Sequence, residues 1–290
     1  MGRPCTVTVR FHEPPADLKR FFTSFYRIEF GCPDGPVDDA LQPEWAGLRF
    51  FDTTRLVSTL ADGSVVADTD FTAMGPTSVP VQFRMVTARM WGVGLLPLGW
   101  ATFMGVPAHE WANRIFDGHR ERLFAPFRPL SGLLSHDQSA EAHDLAVLAR
   151  FFREETCRYE AEEDRIMAVH QVLLDPDLPD VAGMAERVGL HSRTLERICR
   201  KAFGFPPKKL LRRQRFMRSL AQFMLDPSMK WIGAIDALYF DQSHFVRDCK
   251  EFLGMSPSEY AALDHPILSA VMRQRMAARG AAVQTLDRPD

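Results

Sequence analysis

No stretch of this sequence comes near the ~18 uncharged apolar residues that a membrane-spanning helix needs, so no membrane partner is expected. The opening, MGRPCTVTVRFHEPP, lacks an apolar core of signal-peptide length. It fits a Gly2-x-x-x-Thr6 acylation pattern, but so short a match arises often by chance. Cysteines are few, odd in number and far apart: Cys5, Cys32, Cys157, Cys199 and Cys249. No CxxC and no Cys/His pair has zinc-finger spacing, so neither a disulfide scaffold nor a structural zinc is expected, and a reducing cytoplasm is the expected setting. No cofactor is implied by any motif.

What is present suits a two-domain globular chain. The 290 residues allow two cores, and 46% apolar with 25% charged residues excludes disordered and fibrous classes. The net charge of −2 hides an asymmetry. Residues 181–220 hold eleven bases against two acids, an excess of nine positive charges, which leaves the rest of the chain with an excess of eleven negative ones. A nucleic-acid-binding segment joined to an acidic domain gives this pattern, and so does a solvated charged helix.

The fold class expected is α+β. TVTVRF (6–11), a hairpin about Asp62-Gly63 within 56–69, and VPVQFRM (79–85) alternate with period two and read as strands. LKRFFTSFY (18–26) and PAHEWANRIF (107–116) read as helical pieces among them. From residue 143 the period becomes 3.6, with amphipathic helices over 143–155 and 162–174 and a Pro/Asp-rich break at 175–180. After about Arg279 no core-forming pattern remains, and the tail is expected to fray. The domains follow as 1–135 β-rich, 136–175 helical connector, 176–265 DNA-binding, and 266–290 terminal helix and tail.

A shift of fifty residues lays HSRTLERICRKAFGFPP (191–207) on DQSHFVRDCKEFLGMSP (241–257) without a gap. Arg197 falls on Arg247, Cys199 on Cys249, Gly204 on Gly254 and Pro207 on Pro257. One supersecondary unit is used twice. Each copy has a short helix, 181–188 or 231–238, then a tight turn. A second helix follows behind a polar cap, Ser192 in one and Asp241 in the other, and ends at Gly-x-x-Pro. Two short helices about a tight turn form a helix-turn-helix, whose second helix enters the DNA major groove N-terminus first. In copy two the exposed first turns carry Gln242, Ser243, His244 and Arg247, which suit base edges. A Ser-His-Asp triad is disfavoured because Asp241, Ser243 and His244 splay around one turn, and a metal site lacks ligands at i and i+4. Between the copies, 208–225 reads as one basic helix able to neutralise phosphates, the expected contacts being Lys208, Lys209 and Arg212 with Arg200, Lys201 and Lys250 nearby.

MAERVGLHSRTLERICRKAFG, PPKKLLRRQRF and YFDQSHFVRDCKEFLGMSPSEY make residues 165–262 resemble the DNA-binding domain of AraC/XylS-family transcription regulators. The resemblance implies base reading by Arg193, Glu196 and Arg197 in the first unit. It also implies double-stranded DNA as partner, with RNA polymerase and a homodimer contact. Two departures stand out: Cys199 and Cys249 replace the usual Phe, and Leu238 replaces a usual glycine. Residues 1–130 resemble, more faintly, the family's cupin-type barrel sensor, with 91–117 (WGVGLLPLGWATFMGVPAHEWANRIFD) as its end. The cupin HxH metal pattern is absent, and His12, His109 and His119 are scattered. Trp45, Trp91, Trp100 and Trp111 are candidates to line a pocket for a small-molecule effector or simply to form core. The stripe Leu145, Leu148, Phe151, Phe152 is a candidate dimer contact or connector.

The reading is therefore a non-enzymatic, sequence-specific DNA-binding regulator. Its rivals are an N-terminal enzyme fused to an autoregulatory DNA-binding domain, and a helical module binding RNA or acidic protein.

Overall fold

The computed structural model describes residues 5–156 and 158–289; Gly2 of the acylation pattern and Cys157 lie outside them. The strands are β1 (Thr6–His12), β2 (Phe22–Gly31), β3 (Val37–Leu41), β4 (Ala46–Phe51) and β5 (Val57–Leu60), then β6 (Val65–Ala67), β7 (Phe71–Met74), β8 (Val81–Met85), β9 (Ala88–Leu95) and β10 (Ile115–Asp117). They form two antiparallel sheets, ordered β1-β2-β9-β4-β7-β10 and β3-β8-β5-β6. Tyr26, Ile28 and Met90 from the first sheet share a buried cluster with Phe83 and Met85 from the second, so the sheets meet face to face. The expected cupin-like barrel is corrected to an open sandwich. No ladder joins the sheets among the described residues, so each keeps its edge strands, β1 and β10 in the first and β3 and β6 in the second.

The period-two runs become strands as expected, with Gly63 at φ +84° in the hairpin turn and Val81, Phe83 and Met85 inward on β8. Two expected helices do not form. Residues 18–26 give one 3₁₀ turn, Lys19–Phe21, and then β2, a strand paired on both sides and buried along nearly its whole length. A strand covered on both faces reads as a continuous apolar run, which periodicity does not separate from a buried helix. Residues 107–116 give a 3₁₀ turn, Ala108–Glu110, and pass through Asn113 at φ +56° into β10.

The register Thr6↔Gly31 puts Cys5 opposite Cys32, and the two form a disulfide with Cα atoms 4.4 Å apart. Their separation of 27 residues argued against pairing, but an antiparallel hairpin brings its two ends together.

The helices are α1 (Pro97–Phe103), α2 (Pro129–Leu133), α3 (Glu141–Arg150), α4 (Glu163–Leu173), α5 (Val181–Arg187), α6 (Ser192–Ile198), α7 (Pro207–Leu225), α8 (Lys230–Ala234), α9 (Gln242–Leu253), α10 (Pro257–Ala261) and α11 (Leu268–Arg279). Three of the candidate tryptophans, Trp45, Trp91 and Trp100, are fully buried core. Leu148, Phe151 and Phe152 are buried in that core as well, so the candidate dimer stripe is covered within the chain. One apolar cluster runs from Leu18 and Trp91 through α3 and α4 to Leu195, Phe203 and Leu210, joining the sandwich to the first helix-turn-helix unit. A separate cluster, from Phe216 to Val283, holds the second unit.

The tail does not fray. Ala282, Val283, Gln284, Thr285 and Asp287 are buried; Gln214 Nε2 donates to the Thr285 carbonyl at 2.6 Å, and Arg275 pairs with Asp287. Asp39 of β3 accepts from the Ile267 and Leu268 N–H groups at 2.8 Å each, capping α11 from the sandwich. These partners lie more than two hundred residues apart in sequence, and local composition carries no trace of them.

Candidate nucleic-acid interface

In the first unit α5 is capped by Asp180, whose carboxylate accepts from the Gly183 N–H at 2.8 Å. The chain turns at Gly189, φ +64°, and α6 begins. The cap expected of Ser192 is corrected. Ser192 is the first helical residue, and the N-cap is His191, which makes no side-chain capping bond. Leu195, Ile198, Cys199 and Phe203 face the core, and Gly204, at φ +83° and close against Pro76, ends the run.

In the second unit Asp241 Oδ1 accepts from the His244 N–H at 2.8 Å, and Gly254 at φ +76° closes α9. The helix expected over 231–238 stops at Ala234. Asp236 accounts for the stop: its carboxylate accepts from the Leu238 N–H and pairs with Arg218, while its own N–H donates to Ser219. Leu238 is not among the residues with positive φ, so the missing glycine carries no backbone strain there. Cys199 and Cys249 are fully buried, and burial pushes both thiols up to about 12, so neither is a reactive thiolate.

Gln242, Ser243, His244 and Arg247 stand exposed together on the first turns of α9. His244 Nδ1 lies 3.9 Å from Asp241, whose carboxylate is already engaged as the cap; no nucleophile–base pair forms. On the first unit Arg193, Glu196 and Arg197 share one surface depression with Arg200 and Lys201, walled on its far side by Pro107 and His109 of the sandwich domain. Arg197 is not free there. Its two terminal nitrogens donate to both oxygens of Glu162, just ahead of α4, at 2.5 and 2.8 Å, and this pairing holds the Glu162 carboxyl down at about 2. Glu196 accepts from Arg200 at 2.7 Å.

The expected phosphate contacts divide. Lys201, Lys208 and Lys250 are exposed and have no ion pair among the described residues. Arg212 bonds to Asp248 and Glu251 of α9, and Lys209 lies 3.7 Å from Glu251, so both brace α7 against α9. Arg215 and Arg218 likewise meet Asp248 and Asp236. Much of the basic window is neutralised within the chain.

Three residues went unremarked in the sequence. Glu162 carried no local signal. Arg213 is fully buried, its guanidinium 4.0 Å over the Trp45 ring and donating to the Thr77 carbonyl at 2.8 Å, and burial lowers its pKa to about 9. Its signal was its place, three residues after Leu210 and four before Met217, on the apolar stripe of α7. Phe240, 90% exposed just before the Asp241 cap, is the third. Among the described residues no group of three or more His, Cys, Asp or Glu side chains is placed to hold a metal ion, and no helix is long and apolar enough to cross a membrane.

Residues 184–262 match the family model of a helix-turn-helix domain, spanning most of the first unit, the linker helix and the second unit. A two-sheet domain precedes two helix-turn-helix units joined by a single helix. No curated protein matches the chain in sequence. Among solved structures it is similar to ToxT from Vibrio cholerae, at 8% identity over 89% of this chain and 98% of that one, TM-score 0.42. An unsaturated fatty acid-bound form of ToxT from the same organism gives 9% identity, 90% and 97% coverage and TM-score 0.43. The AraC-like transcriptional activator CuxR gives 11%, 74% and 87%, and 0.31.

Proposed function

We propose that this chain is a sequence-specific transcription regulator that sets α6 and α9 into successive major grooves of double-stranded DNA. The observation that carries the reading is the twofold use of one unit with polar, exposed first turns, joined by a single helix. At ~1.5 Å per residue α7 is about 28 Å long, of the same order as the ~34 Å between like grooves on one face of the duplex. Arg193, Glu196 and Arg197 read bases in the first groove, and Gln242, Ser243, His244 and Arg247 in the second. Arg200, Lys201, Lys208 and Lys250 meet phosphates; Lys209 and Arg212 do so only on leaving Glu251 and Asp248.

A small-molecule effector belongs to the same reading. A mostly apolar pocket, partly open to solvent, lies between the two sheets and is walled on one side by α11 and the tail. None of the four candidate tryptophans lines it; Phe11, Tyr26, Phe30, Phe51 and Phe83 do. An occupant would touch both the sandwich and the segment beyond the second reading unit, and so bias how that unit is presented.

The test is selection from random duplex DNA by the full chain at two salt concentrations. A fragment beginning at the connector would expose the core that the first unit shares with the sandwich. Enrichment of a motif in two parts, about one turn apart, supports two-headed reading. Tight, salt-sensitive binding with no enriched motif would replace it with general nucleic-acid binding.

A further inference from the structure

We infer that Phe240 reads the 5-methyl group of a thymine at the leading edge of the second groove, an inference that rests on the DNA reading proposed above. Phe240 is 90% exposed, more than any other large apolar side chain among the described residues. It stands immediately before Asp241, the N-cap of α9. An apolar residue at that position ordinarily packs on the fourth residue of the helix and fixes the angle at which the chain enters. Here the fourth residue is Phe245, and its ring is already covered. Tyr239 lies edge-on to it at 5.4 Å, with Trp231 at 5.2 Å and Phe216 at 6.0 Å between ring centroids. Tyr239 is tied inward by its hydroxyl, which donates to Asp248 at 2.8 Å. Phe240 is left outside the cluster that holds the second unit.

The first unit shows that the position does not demand exposure. Fifty residues earlier Leu190 precedes the N-cap His191, and Leu190 packs against the core that the first unit shares with the sandwich. Two copies of one unit place an apolar residue before the same cap, one against a core and one in water. Neither the cap nor the turn accounts for the ring in the second copy. Its neighbours do. The Phe240 ring lies 6.4 Å from that of His244 between centroids, and Gln242 and Ser243 follow on the same exposed turn. This is the end of a reading helix that enters the groove first. Base edges in the major groove present donors and acceptors and one apolar group, the methyl of thymine. A phenyl ring has no polar atom with which to read the others, and covering ring and methyl together takes both out of water. Phe240 thus adds an apolar contact beside the polar readers Gln242, Ser243, His244 and Arg247.

The test uses the full chain and the motif it selects from random duplex DNA. Each thymine in the second half of that motif is replaced in turn by uracil, which removes the methyl and keeps the hydrogen-bonding edge. Binding of the parent and of Phe240→Ala is followed by fluorescence anisotropy. The parent should lose about three- to fivefold at one thymine, the worth of one methyl group returned to water. Phe240→Ala should bind the thymine duplex about as weakly as the parent binds the uracil one, and should not tell the two apart. The variant should fold, since the ring lies outside the core. A loss in Phe240→Ala that is the same on thymine and uracil duplexes would assign the ring to the sugar-phosphate backbone and overturn the inference. Unchanged DNA binding by Phe240→Ala would overturn it too, and would assign the ring to a second copy of the chain if self-association in sedimentation is lost at the same time. A motif whose second half is indifferent to every uracil sinks the Phe240 contact alone and leaves the DNA reading standing. If no motif is selected, the DNA reading fails and this inference falls with it.

Discussion

Glu162 holds Arg197 by both oxygens and also accepts from Arg165, so the side chain that would read a base in the first groove is occupied before DNA arrives. The pair is roughly half exposed, and exposed pairs contribute at most about 1 kcal/mol, so the hold is one that DNA can break. Glu162→Gln should therefore bind the selected motif roughly two- to fivefold more tightly, measured by fluorescence anisotropy. The gain should vanish in an Arg197→Ala background; an equal gain in both backgrounds would place the effect elsewhere. A second residue-scale expectation concerns His170, buried edge-on to Trp45 and Phe203. Burial, and then the charge of Arg213, lower it from 6.5 to about 3, so it folds neutral. The unfolded chain takes up a proton below about pH 6.5, and the folded one does not until about 3. Stability is thus complete above that window and falls as pH drops through it, by up to about 1.4 kcal/mol per pH unit. Urea melts of His170→Leu should be flatter between pH 6 and 4 than those of the parent; parallel slopes would refute the assignment.

At the scale of elements, α6 and α9 begin differently, and the difference is measurable. Asp241→Ala removes a bonded cap and should cost about 1 kcal/mol, while Ser192→Ala removes none and should stay within about 0.5 kcal/mol. Equal losses in thermal melts would mean that the second helix does not depend on its cap. The same helices show what was legible in advance. Their inner faces, terminal glycines and fifty-residue offset are local patterns, and each was readable from spacing alone. The strand at 22–31 was not, because a segment covered on both faces loses the alternation that identifies it. The Cys5–Cys32 bond, the Glu162–Arg197 pair and the capping of α11 by Asp39 depend on registers and contacts that no window of sequence contains. Arg213 was half legible, since a cation on an apolar stripe is a signal, although its partner across the interface is not.

Over the whole molecule, the excess of nine positive charges in residues 181–220 overstates the charge left free at the surface. Of the residues proposed to touch DNA, Arg193, Lys201, Lys208, Arg247 and Lys250 are the exposed cations that have no ion pair among the described residues. Five positive charges brought onto the duplex, base readers included, give a slope of log K against log salt of about −4.5, and Lys208→Ala should flatten it by about one. A slope near about −10 would mean that the internal pairs open and the full window engages.

The shared core of sandwich and first unit has a consequence for building chimaeras. A graft of this sandwich onto a foreign helix-turn-helix half would, from the sequence alone, be cut before the first unit, in the break at 175–180. Here such a cut would pass beside Leu195, Phe203 and Leu210, strip the sandwich of part of its own interior, and leave both fragments sticky. The transferable piece is longer. It runs through the first reading head to the middle of α7, between Arg213, which plugs the sandwich, and Phe216, where the next cluster begins. In this molecule the sandwich and the first helix-turn-helix unit travel together as one core, and only the second unit is interchangeable.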